Sequence, residues 1–298
     1  MVNRGERSRS PRGAPAIEPQ PEQPTAPGGR ILAVVNQKGG VGKTTTAVNL
    51  AASLAAAERA TLLVDLDPQA NASSAFGVAA AERHLYDALV GNATLREVTV
   101  ATEIPFLHLV PSGPDLVGAE IELVALDERE RCLARSLEPA SRDYDFVLID
   151  CPPSLGLLTL NALTAADAVL IPLQCEYYAL EGLARLMDTV ERIRTALNPR
   201  LSLEGIVLTM VDLRANLARQ VADEVRRHFG DRVYDTTIPR NIRLSEAPSH
   251  GKPALLYDAT SKGASSYLRL AEELLKRTAS HHHTTPPLLP TVEKDDAE

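Results

Sequence analysis

The chain has 298 residues, 44% of them hydrophobic and 23% charged, which is enough apolar material for one large α/β domain or two small ones and excludes a fibrous class. Its apolar runs, such as 168–173, fall far short of the roughly 20 residues of a spanning helix. The first thirty residues carry no apolar signal-peptide core, so the expectation is a cytoplasmic protein without membrane contact. With 31 basic against 39 acidic side chains the net charge is −8, which repels nucleic acid on average, so any DNA contact needs a local basic patch.

Residues 1–29 are rich in Pro, Arg, Ser and Gly with few large apolar side chains, and are expected to form a disordered arm whose Arg4, Arg7, Arg9 and Arg12 are solvated. From residue 30 onward, short apolar runs alternate with longer amphipathic segments. That alternation predicts an α/β fold with a doubly wound, mostly parallel sheet and helices on both faces. Strands are expected at 30–36, 61–65, 106–110, 146–150, 168–172 and 205–210, and helices over 43–57, 119–137, 180–197, 220–229 and 265–277. Asn198-Pro199 ends the third of these helices, because proline disfavours helical geometry in the residue before it. No repeat or second core is visible, so 30–279 reads as one domain and 280–298, with its prolines and acidic end, as an unstructured tail. Cys132, Cys151 and Cys175 are scattered, without a C-x-x-C pair, and read as buried small hydrophobes.

The run from Val34 through Asn36, Gln37, Lys38, Gly39, Gly40, Val41, Gly42, Lys43, Thr44 and Thr45 passes from an apolar strand through glycines into an Ala-rich helix, the context of a phosphate loop. Glycines let successive N–H groups turn inward onto phosphate oxygens at the positive end of the helix. Lys43 would face the β- and γ-phosphates of ATP, and the Thr44 hydroxyl would face Mg²⁺, which prefers oxygen ligands. The general motif has glycine where this chain has Gln37.

Two further strands end in acids. Thr61 to Asp65 leads into Leu66-Asp67-Pro68-Gln69, with Asp65 and Asp67 spaced so that their side chains point the same way if the strand continues. At a strand end bordering the ligand crevice, Asp67 is placed to hold the attacking water. Phe146 to Ile149 delivers Asp150 to the magnesium region in the same manner.

Lys38 followed by Gly39-Gly40-Val41-Gly42-Lys43-Thr44-Thr45 resembles the deviant phosphate loop of the ParA/MinD superfamily of ATPases. The resemblance covers about 30–275 and sharpens at Asp150-Cys151-Pro152-Pro153-Ser154-Leu155-Gly156 and at Ile238-Pro239-Arg240-Asn241-Ile242-Arg243, which look like the chromosomal ParA, or Soj, group. It implies that Lys38 reaches the partner's nucleotide across a dimer interface, that Asp67 is needed for hydrolysis, and that Asp150 acts on Mg²⁺ through a bound water. It also implies that Pro239 and Asn241 lie near the adenine. The function implied is DNA segregation: an ATP-bound homodimer coats nucleoid DNA without reading its sequence, and a ParB-type centromere-binding partner stimulates hydrolysis. Arg214 and Arg243 match DNA-binding positions of Soj-like proteins, with Arg219, Arg226 and Arg227 as additions. Independently, 185–243 holds 11 arginines against 8 acids, a local balance of +3. The alternative is a MinD-like division-site ATPase anchored by a C-terminal amphipathic helix, which Pro286, Pro287 and Pro290 and the acidic charge of the tail disfavour.

Overall fold

The computed structural model describes residues 29–78, 82–212 and 214–281, so the predicted arm, apart from Gly29, lies outside the described residues, as does the predicted tail beyond His281. In chain order, β1 (Arg30–Val34) leads through the glycine loop into α1 (Lys43–Ala56), β2 (Thr61–Asp65) and the short helices α2 (Asn71–Ser74), α3 (Leu85–Leu89) and α4 (Leu95–Val98). A two-residue strand β3 (Val100–Ala101) precedes β4 (Leu107–Val110), α5 (Leu116–Glu122), α6 (Cys132–Ser141) and β5 (Phe146–Asp150). The second half runs through α7 (Leu157–Ala165), β6 (Ala168–Gln174), α8 (Ala179–Ala196), β7 (Ser202–Thr209) and α9 (Asn216–Phe229). Two short helices, α10 (Ile242–Glu246) and α11 (Ala254–Tyr257), precede the closing α12 (Lys262–His281).

The strands form one seven-stranded sheet in the order β3-β4-β2-β5-β1-β6-β7, parallel throughout except for the β3–β4 pair. Every residue of β2 and β5 is buried, as expected of strands covered on both faces, which is why they read as unbroken apolar runs. Alternate residues feed two cores. Leu32, Val34, Leu63, Leu148 and Leu170 meet Leu50, Leu54, Leu270 and Leu274 of α1 and α12, whereas Ala33, Leu62, Val64, Val147 and Ile149 meet α6, α7 and α8. Truncating a fully buried anchor such as Leu50 to Ala costs about 2–5 kcal/mol at sites of this kind.

The single helix expected at 119–137 does not form. α5 stops at Glu122, tight turns occupy Leu123–Ala125 and Arg129–Arg131, and α6 begins at Cys132. Ile121, Val124 and Leu126 face solvent, so no packing holds a continuous helix, and Glu128 takes the left-handed conformation at φ 51°. Asn161 of α7 fixes the restart, donating from Nδ2 to the Arg129 carbonyl at 2.9 Å and accepting the Leu133 N–H at 3.1 Å. α7 itself escaped the sequence pattern because Leu158, Ala162, Leu163 and Ala165 bury most of its circumference and leave no polar stripe. β1 ends two residues early, at Val34, and β7 ends at Thr209, where Met210 turns to φ 51°. α12 continues through His281, past the expected start of the tail.

Candidate active site

β1 sits where the connections diverge, toward β2 on one side and β6 on the other, and open α/β sheets leave a ligand crevice at the carboxyl ends of strands at such a point. The loop that follows it is held from both sides. Asn36 donates from Nδ2 to the Pro172 carbonyl of β6 at 2.8 Å and accepts the Lys38 N–H at 3.0 Å, and the Thr209 hydroxyl of β7 donates to the Val41 carbonyl at 2.7 Å. Gly40 and Gly42 adopt φ of 76° and 88°, a region glycine enters without steric cost. A Cβ added at Gly39 or Gly40 would meet nothing within 4 Å, so the loop presents an open face. The first turn of α1 has neither a side-chain cap nor an acid, which leaves its N–H groups and the positive end of the helix dipole available to an anion.

Lys43 opens that turn, is only 6% exposed, and donates from Nζ to the Lys38 carbonyl at 3.1 Å. Burial lowers its pKa, while Asp150, Cys151 and Asp67 pull it back up. Asp150 closes β5 in register with Val34 of β1 and Asp65 of β2. It is fully buried and neither carboxylate oxygen has a hydrogen-bond partner. Burial, then the charge of Asp65, push its pKa well above the carboxylate range, and the Thr44 hydroxyl, near but not aligned as a donor, opposes the rise. A buried carboxylate left unpartnered is costly, and a cation relieves that cost. The Thr44 hydroxyl and the Asp150 carboxylate are hard oxygen donors of the kind Mg²⁺ takes, so these residues fit that ion. Among the described residues no cluster of three or more His, Cys, Asp or Glu forms a metal cage, so ligand oxygens and water must complete the shell.

Asp67 is 7% exposed and lies beyond the end of β2, which stops at Asp65, so the two side chains do not share a strand face. Asp65 turns inward instead: Oδ1 accepts the Asp67 N–H at 3.2 Å and Oδ2 accepts the Ser73 N–H and hydroxyl at 2.8 and 2.7 Å. Burial pushes its pKa up to about 6 against those bonds. Asp67 in turn accepts the Gln69 N–H at Oδ1, 3.0 Å away.

The remaining predicted residues lie in the glycine loop, the first turn of α1 and the segment after α9. Lys38 is ion-paired with Glu176 in the loop after β6, a partner 138 positions away that no local pattern indicated. Pro239 bridges to Val211 just past β7, and Asn241 caps α10, its Oδ1 accepting the Arg243 N–H at 2.9 Å. Thr44 and Thr45 border a cleft of about 290 Å³ that Asn71, Ser74, Pro248 and Lys252 also line. All three cysteines are buried and unpaired, as expected, and burial raises the Cys151 thiol.

The arginines lie on the adjoining surface. The Val211–Pro239 bridge sets the segment before Arg214 beside the one leading to Arg243. Arg214 is highly exposed and grips Asp212 through two bonds of 2.8 and 2.7 Å, which, with Arg240 nearby, hold the Asp212 carboxyl down to about 2. Arg243 pairs with Glu246 at 2.8 Å and with Asp258 at 3.3 Å, Arg219 bonds Asn216 at the start of α9, and Arg227 lies 3.6 Å from Glu224. Each of these four therefore has a local acidic or amide partner.

Residues 29–203 match a family model described as an AAA domain. The chain is 58% identical over 251 residues to the chromosome partitioning protein ParA of Myxococcus xanthus, covering 84% of this chain and 89% of that one. It is 56% identical over 248 residues to the sporulation initiation inhibitor protein Soj of Bacillus subtilis, covering 83% and 98%. Among solved structures, cobyrinic acid a,c-diamide synthase from Mycobacterium smegmatis with bound ADP and magnesium aligns with a TM-score of 0.74 at 37% identity, over 88% of this chain and 100% of that one. Sequence identity of this extent over nearly the full length of two curated relatives, together with the loop and acid geometry above, places the chain in the ParA/Soj family of chromosome-partitioning ATPases.

Proposed function

We propose that this chain is an ATP-timed DNA-partitioning switch, cytoplasmic and associated with the nucleoid. ATP with Mg²⁺ joins two copies, the homodimer holds DNA without reading its sequence, and hydrolysis stimulated by a ParB-type partner releases it. The observation that carries this reading is the juxtaposition of an uncapped helix N-terminus and Lys43, which together receive an anion, with a buried, unpartnered Asp150, which calls for a cation. A magnesium triphosphate satisfies both at once.

In this reading the loop amides of 39–45 and Lys43 hold the β- and γ-phosphates, Thr44 and, through water, Asp150 hold the ion, and Pro239 and Asn241 flank the adenine. The ion, when bound, neutralises charge on the phosphate oxygens. Asp67 orients the attacking water, for which its place beyond the end of β2, close enough to act on the Lys43 ammonium, is suited. Lys38 leaves Glu176 and meets the nucleotide of the second copy. The pair it leaves is about half exposed, and pairs of that kind contribute only about 0–1 kcal/mol, so the move is inexpensive. Arg214, Arg219 and Arg243 contact DNA phosphates, exchanging their local partners for the backbone and making binding salt-sensitive.

The test is sedimentation of the purified chain with DNA or with anionic liposomes, each with and without magnesium ATP. ATP-dependent retention on DNA is the expected result. ATP-dependent retention on liposomes in its place would favour the MinD-like, membrane-associated alternative. No helix among the described residues is long and apolar enough to cross a membrane.

A further inference from the structure

The turn that carries Asp67 is held by a buried chain of hydroxyls that joins three elements. Ser73, in α2 and fully buried, gives both its N–H and its hydroxyl to Asp65 Oδ2 at 2.8 and 2.7 Å. Its oxygen then accepts the N–H of Ser112, beyond the end of β4, at 2.9 Å. Ser112 closes the circuit by donating its own hydroxyl to the Asp67 carbonyl at 2.8 Å, while the Asp67 N–H returns to Asp65 Oδ1 at 3.2 Å. Both main-chain polar groups of Asp67 are thus tied to one network. The same carbonyl also accepts the Ala70 N–H at 2.8 Å, and Ala70 stands at φ 52°, a left-handed conformation that a non-glycine residue keeps only when its surroundings over-determine it.

We propose that Ser73 and Ser112, anchored by Asp65, are positioning residues for hydrolysis: they fix the main chain of Asp67 so that its carboxylate stands ready beside the crevice before nucleotide arrives. This rests on the reading of Asp67 as the group that orients the attacking water. Among the hydrogen bonds of the described residues, the Ser73 hydroxyl meets only Asp65 and the Ser112 N–H, and the Ser112 hydroxyl only the Asp67 carbonyl. Their removal therefore leaves the phosphate loop, Lys43 and Thr44 in place while freeing the turn. Misplacement of a reacting group by about 1 Å through a change outside the chemistry can cost about 100-fold in rate, whereas groundstate binding is untouched.

The experiment measures steady-state ATP turnover in magnesium buffer with DNA present, and the affinity for a fluorescent ATP analogue, for Ser112→Ala, Ser73→Ala, Ser112→Thr and Asp67→Ala. The expected result is a fall of about 10- to 100-fold in kcat for Ser112→Ala and Ser73→Ala, with KM and analogue affinity within about 3-fold of the parent. Ser112→Thr, which keeps the hydroxyl, should restore most of the rate. Turnover near the parent's in both alanine variants, with Asp67→Ala inactive, overturns the clasp and leaves the Asp67 reading standing. Parental turnover in Asp67→Ala overturns that reading and the clasp with it. Should Ser73→Ala melt early because its site is fully buried, the less buried Ser112 decides the matter, and equal losses of kcat and affinity there, without rescue by threonine, also overturn the proposal.

Discussion

Changing Asp150 to Asn should make the nucleotide-free protein more stable and the nucleotide-bound protein less so. The side chain is fully buried with neither oxygen bonded, and burial drives its pKa well above the usual range. An unsatisfied buried polar group costs about 1–3 kcal/mol and a charged one more. Asparagine keeps the shape, cannot ionise and offers an amide to the carboxyl groups beside it, so a gain of about 2 kcal/mol is expected. For a domain of this size that corresponds to about 4–8 °C in Tm. Magnesium ATP at 100-fold excess over Kd stabilises a native protein by about 2.7 kcal/mol, and the variant should lose most of that increment along with its metal contact. Differential scanning fluorimetry at pH 7, in chelator and then with magnesium ATP, reads both effects. An Asn variant that melts below the parent in chelator would show that Asp150 is already stably partnered and refute the reasoning.

The pH dependence has a defined sign. Asp65 is raised to about 6, so the folded state holds a proton that the unfolded state has lost, and its contribution is full below about pH 4 and disappears as pH rises through 6. In chelator the protein should therefore melt higher at pH 5 than at pH 7; a Tm that climbs steadily across that interval would contradict it. Asp212, held at about 2 by Arg214, titrates below this window and does not mask the trend. Lys38→Ala should retain analogue binding yet form no ATP-induced dimer, and light scattering that reports unchanged dimers would remove Lys38 from the interface. Arg214→Glu and Arg243→Glu should weaken DNA binding equally across sequences and lower the salt slope by about 1 each, with ATP affinity intact; an unaltered slope would take them off the DNA surface.

The phosphate loop and both acid-bearing strands were readable because each is a local pattern: an apolar run buried on two faces, then a glycine turn or an acid where the strand stops. What escaped reading depends on distant contacts. The break between α5 and α6 is set by Asn161, some thirty residues downstream, and by the lack of anything covering Ile121 and Val124. The i, i+2 spacing of Asp65 and Asp67 puts both side chains on one face only if the strand continues past Asp65. The strand ends between them, so one became an internal hydrogen-bond acceptor while the other stayed at the crevice. Ser73 and Ser112 gave no signal at all, since isolated serines are common in turns and only the folded chain joins them.

Lys43, at the mouth of the helix, faces the carboxyl groups of Asp150 and Asp67, and Asp65 stands beside Asp150 in the sheet. One ammonium thus answers to more than one acid before any nucleotide enters, even though the helix terminus itself attracts anions. A bare triphosphate would bring further negative charge to those acids, whereas a magnesium complex brings its own counter-charge. Loading is therefore expected to rise with magnesium as well as with nucleotide.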